Sequence, residues 1–219
     1  AKKLSAVLLI GMPLMWLTGA GLAMLTLGLA LFPALLVGAI LAPTDPVVAT
    51  AVVGGTIAQR NARSEVRHMI SAESGANDGL GLPFVLLSVL LLTKPTGAAV
   101  WQWVGNVLLW QVCGAVVFGL SAGYLAGRVF AWIRAKPSAE RQPMLAIGVA
   151  LALTVLTSVK LLGGDGILAV FAAGLMFNRK TSDLQTRQAE VQGSIARFFD
   201  LPVFVLFGAM LPWAKWGTL

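Results

Sequence analysis

Charged residues are scarce in this sequence. Asp, Glu, Lys and Arg make up 11% of the 219 residues and hydrophobic residues 58%, and the mean hydropathy is +0.84. Soluble domains carry roughly 25% charged residues, so this balance excludes a soluble globular domain. Apolar runs of about twenty residues predict membrane-spanning helices, because the strands of a membrane barrel would alternate over about ten residues each.

The sequence also has only one cysteine and lacks the usual signs of additional domains. Cys113 is the only cysteine and lies in an apolar segment, so it gives no information about disulfides. No signal peptide, soluble domain, heptad run or low-complexity tract is visible. We therefore interpret residues 1–219 as a single transmembrane domain. Because the chain starts at Ala1 without Met and ends in an apolar segment, we expect it to be a fragment of a longer protein.

About seven apolar segments predict the fold class, an all-α integral membrane protein. They cover approximately residues 4–28, 33–56, 68–93, 104–130, 143–162, 165–178 and 197–214. Thirteen of the 16 Lys and Arg residues fall on one side of these segments, and Lys94, Lys160 and Lys215 fall on the other. By the positive-inside rule, the first side is cytoplasmic and carries the N-terminus of the chain. Topology thus explains the net charge of +7, with anionic lipid as a secondary explanation and without nucleic acid.

The second segment is broken by prolines. The stretch Ala42-Pro43-Thr44-Asp45-Pro46 places an acid between two prolines in an otherwise apolar helix. Proline has no N–H, so each proline frees the carbonyl of the residue one turn earlier. Free backbone groups at membrane depth persist only inside protein or beside a wet cavity. Thr44 follows Pro33 by ~16 Å of helix, which predicts a position near the middle of the membrane.

The third segment carries a second polar stretch, Glu73-Ser74-Gly75-Ala76-Asn77-Asp78. Asp78 follows His68 by ~15 Å of helix, so it is also predicted near the midplane. Ser74 and Asp78 are four residues apart, as are Glu73 and Asn77, and each pair can share a helix face. Glycines in the same region would let another backbone come close; they are Gly75, Gly79 and Gly81.

Carboxylates are costly in hydrocarbon, and those found there usually mark an ion or proton path. The alternative is that Asp78 and Asp45 each pair with a basic residue and only hold helices together. We favour the ion path, more strongly for Asp78, because Asp45 can also neutralise helix ends at the proline break. Thr44 and Ser74 supply hard oxygen ligands suited to Na⁺ or Li⁺. Asn77 is neutral and is expected to orient its neighbours.

The remaining acids and the single histidine have local explanations. Glu73 is either a second ligand or a member of a structural ion pair, and we favour the ion pair. Asp165, beside glycines, is predicted to be a helix N-cap at the outer face. Asp200 is placed to pair with Arg197. His68 is interpreted as a solvated residue at the cytoplasmic mouth, with pH sensing as the alternative.

Four stretches resemble the monovalent cation:proton antiporters, the sodium/proton exchanger family. Gly38–Pro46 is similar to the family's Thr-Asp-Pro segment, and Glu73–Asp78 to its Glu-Ser-x-x-Asn-Asp signature, in the branch that has Asn-Asp where the electrogenic branch has Asp-Asp. Gly166–Leu175 and Phe204–Gly208 resemble later helices of the family. The first two motifs are specific in this order and spacing, and the similarity covers nearly the whole chain.

The resemblance implies an inverted-repeat transporter of roughly thirteen helices whose core moves as an elevator. It implies a homodimer in the lipid of the cell (inner) membrane, with this chain running from about the fourth helix to the tenth. Transported Na⁺ (or Li⁺ or K⁺) and H⁺ are implied, without cofactor or enzymatic activity. Three elements are expected outside this chain: a crossing unwound helix and a buried arginine that pairs with Glu73, both after Leu219, and an acidic ligand before Ala1.

The resemblance also assigns roles to the two motifs. Asp78 is implied to bind the cation and the proton, with Thr44 and Ser74 as further Na⁺ ligands. Asn77 is implied to position the site. Asp45, which stands between Pro43 and Pro46, is implied to stabilise the crossed, unwound helices. In this interpretation one site holds either H⁺ or Na⁺, and alternating exposure exchanges them.

Other functional classes remain open from the residues. A cation channel would need a continuous pore and no obligatory proton, and another proton-coupled transporter could use the same acids. Two midplane acids could also form the dyad of an intramembrane aspartyl protease. That interpretation is disfavoured because Leu162 stands where the protease pattern Gly-x-Gly-Asp requires its first glycine before Asp165.

Overall fold

The computed structural model describes residues 2–44, 60–135, 142–179 and 185–216, and the single residues 49 and 53. These residues form helices and connecting turns, without a strand among them. Asp45 and Pro46 of the predicted site lie outside the described residues, as does most of the second half of the predicted segment 33–56. The all-α prediction is confirmed.

Eight helices follow one another in the described residues. We number them α1 (residues 2–27, with a π-helical turn at Val7–Gly11), α2 (Leu31–Leu41), α3 (Ser64–Thr93), α4 (Thr96–Arg134, π-helical at Trp103–Gly114), α5 (Gln142–Leu161), α6 (Gly166–Asn178), α7 (Gln185–Met210) and α8 (Trp213–Trp216).

Glycine, proline and aspartate set the helix ends. Gly28 ends α1 with a left-handed φ of 63°, a conformation that costs glycine little. Helix α2 ends at Leu41, two residues before Pro43. Asp165 begins α6, because its Oδ1 accepts hydrogen bonds of 3.0 Å from the backbone N–H groups of Ile167 and Leu168. The predicted N-cap is therefore confirmed.

Three helices are long and apolar enough to cross a membrane: Leu4–Leu27, Ser64–Thr93 and Thr96–Arg134. Shorter apolar helices overlap the other four predicted segments, at Leu31–Leu41, Ile147–Leu161, Gly166–Asn178 and Phe198–Met210. Many large apolar side chains on these helices are exposed, among them Leu25, Trp101 and Met210. The molecule is a multi-pass membrane protein, and the count of seven spans stays a prediction.

Two boundaries differ from the sequence-based expectation. Helix α4 covers Thr96–Arg134 instead of 104–130, since its polar and tryptophan-rich first turns continue the helix. Residues 185–196, which lie between the predicted segments 165–178 and 197–214, are the first turns of α7. They are rich in Gln, Arg, Ala and Glu, which favour helix without being apolar, so a prediction based on hydrophobic runs misses them.

Helices α1, α2 and α3 form one packed group. A β-carbon placed at Gly38 of α2 would overlap the backbone of α1 at Trp16 and Ala20, so these two helices touch backbone to backbone. The indole Nε1 of Trp16 donates to the Leu35 carbonyl at 2.8 Å. The same indole ring packs on Phe84 of α3, with 4.9 Å between ring centroids. Trp16 therefore joins all three helices.

Helices α4, α5 and α6 form a second group. A β-carbon at Gly119 of α4 would overlap the carbonyl of Ala169, and one at Gly123 would overlap that of Ala173. The contacts advance in the same direction along both helices, so α4 and α6 run parallel. Val155 and Val159 of α5 pack into the same buried cluster. Helix α6 is thus held between two longer neighbours.

The two groups meet at α3. A β-carbon at Gly75 would lie 2.9 Å from the ring of Phe171, and one at Gly79 would lie 2.7 Å from the Cβ of Leu168. These contacts run in opposite directions along α3 and α6, so the two helices are antiparallel. The predicted close approach at the glycines is confirmed, and α6 is the helix that approaches Gly75 and Gly79.

The glycine contact between α4 and α6 predicts the effect of a single methyl group. Gly119→Ala should destabilise the full-length protein by about 1–3 kcal/mol, because the new methyl meets backbone and no side chain can rotate away. Thermal denaturation in detergent measures the change. Gly105→Ala is the matched control on the same helix, since a β-carbon there meets nothing within 4 Å. Equal melting temperatures for the two variants would contradict the close contact.

Candidate functional site

The proline-broken end of α2 lies against α3. Beyond Leu41 the chain leaves the helix, and Ala42 is buried. A β-carbon placed at Gly81 of α3 would lie 2.5 Å from the Cγ of Pro43, so the missing side chain makes room for the proline ring. This contact brings the next residue, Thr44, alongside the polar turn of α3.

Thr44, Glu73 and Asn77 form a closed triangle of hydrogen bonds. The Asn77 Nδ2 donates to Glu73 Oε1 at 2.7 Å and to Thr44 Oγ1 at 3.1 Å. The Thr44 hydroxyl in turn donates to Glu73 Oε2 at 3.4 Å. The predicted shared face of Glu73 and Asn77 is confirmed by their direct bond. The triangle links the end of α2 to the middle of α3.

Two oxygen atoms at this site are buried without a hydrogen-bond partner among the described residues, Ser74 Oγ and Asn77 Oδ1. Asn77 is 0% exposed and Ser74 is 4% exposed, so water does not satisfy these atoms by ordinary surface contact. Buried polar atoms are nearly always paired, and an orphaned one calls for an explanation. Hydroxyl and amide oxygens are hard ligands of the kind that bind alkali cations.

Asp78 completes the polar turn. It is half-buried on α3, directly after Asn77 and one helical turn beyond Ser74. Residues four apart lie on the same face of a helix, so Asp78 and Ser74 share one face of α3. The next residue, Gly79, packs against α6 at Leu168. The acid is thus placed beside the contact between the two helix groups.

The structure brings together some of the predicted site residues and leaves others untested. Thr44, Glu73 and Asn77 are in direct contact, whereas Ser74 and Asp78 adjoin them along α3. The described partners of Glu73 are neutral, and its ion pair stays a prediction. The described residues contain no group of three or more His, Cys, Asp or Glu side chains that could hold a metal ion. The site therefore combines two carboxylates, Glu73 and Asp78, with neutral oxygens.

Sequence reasoning missed three residues that flank the polar turn. Leu168 and Phe171 of α6 face the glycines of α3, and Trp103 of α4 donates its indole N–H to the Pro83 carbonyl. The glycines signalled that some helix would come close, without showing which one. Tryptophans near a membrane segment, such as Trp101, Trp103 and Trp110, are ordinarily explained by an aromatic belt at the membrane surface, so Trp103 gave no signal of this contact.

Comparison with known proteins gives a consistent family match. The family model described as sodium/hydrogen exchanger, transmembrane, matches residues 1–219. The chain is similar to Na(+)/H(+) antiporter 2 of Zygosaccharomyces rouxii, at 35% identity over 85% of this chain and 24% of that protein. It is 32% identical to a Na(+)/H(+) antiporter of Saccharomyces cerevisiae, over 87% of this chain and 20% of that protein.

A third relative extends the match. A probable Na(+)/H(+) antiporter of Schizosaccharomyces pombe is 30% identical over 91% of this chain and 27% of its own length. The chain therefore spans about a quarter of the length of these relatives. No solved structure matches significantly. The match over residues 1–219 agrees with the two polar motifs and the membrane helices, and the chain belongs to the sodium/hydrogen exchanger family.

Proposed function

We propose that the full-length protein exchanges a monovalent cation, Na⁺, for H⁺ across the membrane at the site around Asp78. The observation that carries the proposal is the polar turn of α3, where Asp78 adjoins the buried, orphaned oxygens of Ser74 and Asn77. The relatives' names support Na⁺ and H⁺ as the transported ions.

Competition for one carboxylate explains how exchange occurs. A bare charge is unfavourable away from water, so a half-buried carboxylate holds either a proton or a cation. Binding of one ion displaces the other, and exposure of the site to alternate sides of the membrane couples their movements. The reaction is transport and involves no catalytic cofactor.

The hydrogen bonds indicate different roles for the neutral residues of the site. The Ser74 hydroxyl has no partner among the described residues, so its oxygen lone pairs can coordinate a cation. The Thr44 hydroxyl both accepts from Asn77 and donates to Glu73, which fixes its orientation and leaves one lone pair for the ion. Asn77 uses its amide nitrogen on Thr44 and Glu73 and thereby sets their separation. We assign Asp78, Ser74 and Thr44 as ligands, and Asn77 as the residue that positions them.

We also propose the setting in which the site acts. The full-length protein is a homodimer in the cell membrane, with the N-terminal end of α1 at the cytoplasmic face. The distribution of basic residues supports this orientation, since 13 of the 16 fall on that side of the predicted segments.

Asp78→Asn should abolish exchange, because the amide can neither release a proton nor balance a cation. The measurement uses the full-length protein in vesicles loaded with Na⁺, whose interior acidifies as Na⁺ leaves and H⁺ enters. Asp200→Asn on α7 is the matched control and should exchange at the wild-type rate. Wild-type acidification by the Asp78 variant would refute the assignment. Saturable Na⁺ efflux tied to proton entry also separates exchange from a channel.

Thr44→Val should raise the KM for Na⁺ roughly tenfold, because it removes one ligand oxygen and two hydrogen bonds of the triangle. Thr44→Ser retains the hydroxyl and should stay near the wild-type value. Initial rates at a series of Na⁺ concentrations give both constants. A KM shared by the Val and Ser variants would show that the hydroxyl has no part in binding.

A further inference from the structure

We propose that Trp103 of α4 is a positioning residue for the ion site, an inference that rests on the proposed function. Its indole Nε1 donates to the carbonyl oxygen of Pro83 in α3 at 2.8 Å, across 20 residues of sequence. Pro83 is buried and lies five residues beyond Asp78, or ~7.5 Å along the helix. Trp103 thus holds α3 just past the carboxylate.

This part of α3 has few restraints of its own. Pro83 has no N–H, so the helix loses the hydrogen bond to the Gly79 carbonyl, one residue after Asp78. Gly79 and Gly81 add backbone freedom, and helices bend most readily at proline and glycine. The segment from Gly79 to Pro83 is therefore where α3 can most easily change its direction, and any change there alters the position of Asp78.

The neighbouring helices restrain the segment in two different ways. Leu168 packs on Gly79, and Pro43 packs on Gly81. Such apolar contacts fix how closely the helices approach, and they include no hydrogen bond. The Trp103 hydrogen bond is directional, and its low-dielectric surroundings strengthen it. It therefore fixes the axial position and rotation of α3, and with them the position of Asp78 relative to Thr44.

The same helix provides a matched control. The Nε1 of Trp110 donates to the carbonyl oxygen of Leu162 at 3.1 Å. Its partner lies in the turn between α5 and α6, so this bond holds α4 within its own helix group. Replacing either tryptophan with phenylalanine removes one indole N–H and keeps an aromatic ring. The two variants differ in whether the lost bond reaches α3.

The test measures Na⁺/H⁺ exchange by the full-length protein in vesicles, as initial rates over a range of Na⁺ concentrations and pH. Trp103→Phe should raise the KM for Na⁺ by about two- to tenfold, the range expected for one hydrogen bond. The maximal rate should change less than the KM. At a fixed, subsaturating Na⁺ concentration, the acidic limb of the pH profile should move to higher pH, because weakened cation binding competes less well with protons. Trp110→Phe should keep the wild-type KM and profile.

The outcomes separate the two proposals. Absence of exchange by the wild-type protein would overturn the proposed function itself. Wild-type exchange with an unchanged KM and pH profile in Trp103→Phe would overturn the positioning role alone, as would an equal rise of the KM in Trp110→Phe. If Trp103→Phe does not reach the membrane, Trp103→Met and Trp110→Met, which also lack a side-chain N–H, replace the pair. A KM raised only at position 103 then supports the role, and equal values overturn it.

Discussion

The hydrogen-bond triangle of Asn77, Thr44 and Glu73 is the interaction on which the site depends. It joins a chain segment that has left its helix to the centre of another helix, in surroundings where an unpaired polar group is costly. Two donors on the Asn77 amide nitrogen meet two different acceptors, which a carboxylate in the same position could not do. The asparagine of the Asn-Asp pair therefore has a geometric reason to be neutral, while the adjacent acid is the residue proposed to bind the ion.

Glycine allows this arrangement to form. The polar turn of α3 is flanked by positions without side chains, and each admits a different neighbour: Gly75 admits the ring of Phe171, Gly79 the backbone at Leu168, and Gly81 the ring of Pro43. Apolar packing surrounds the oxygens on several sides, which lowers the local dielectric and strengthens the hydrogen bonds. Packing and polarity are thus two consequences of the same short stretch of sequence.

Much of the architecture follows from local patterns. Apolar run lengths predicted helices within all seven segments, the glycines predicted a close approach, and the aspartate after two glycines predicted the cap of α6. Partner identity was not predictable, because a glycine face shows that something packs there without showing that it carries Leu168 and Phe171. The hydrogen bond from Trp103 to Pro83 was not predictable either. A tryptophan near a membrane segment is already explained by the preference of tryptophan for the lipid surface. Long-range partners depend on how whole helices are arranged, which local patterns do not encode.

The composition of α3 has a consequence for biosynthesis. An aspartate at the centre of a spanning helix raises the free energy of insertion by about 2.5–3.5 kcal/mol, and this helix also carries two glutamates, an asparagine and several glycines. These polar residues make its entry into the bilayer costly. Thr44 and the ring of Pro43 are synthesised before it and provide contacts that offset part of this cost. The helix that carries the polar turn thus depends on its predecessors during translocation, so a defect in α2 would impair assembly of the protein as well as the proposed ion site.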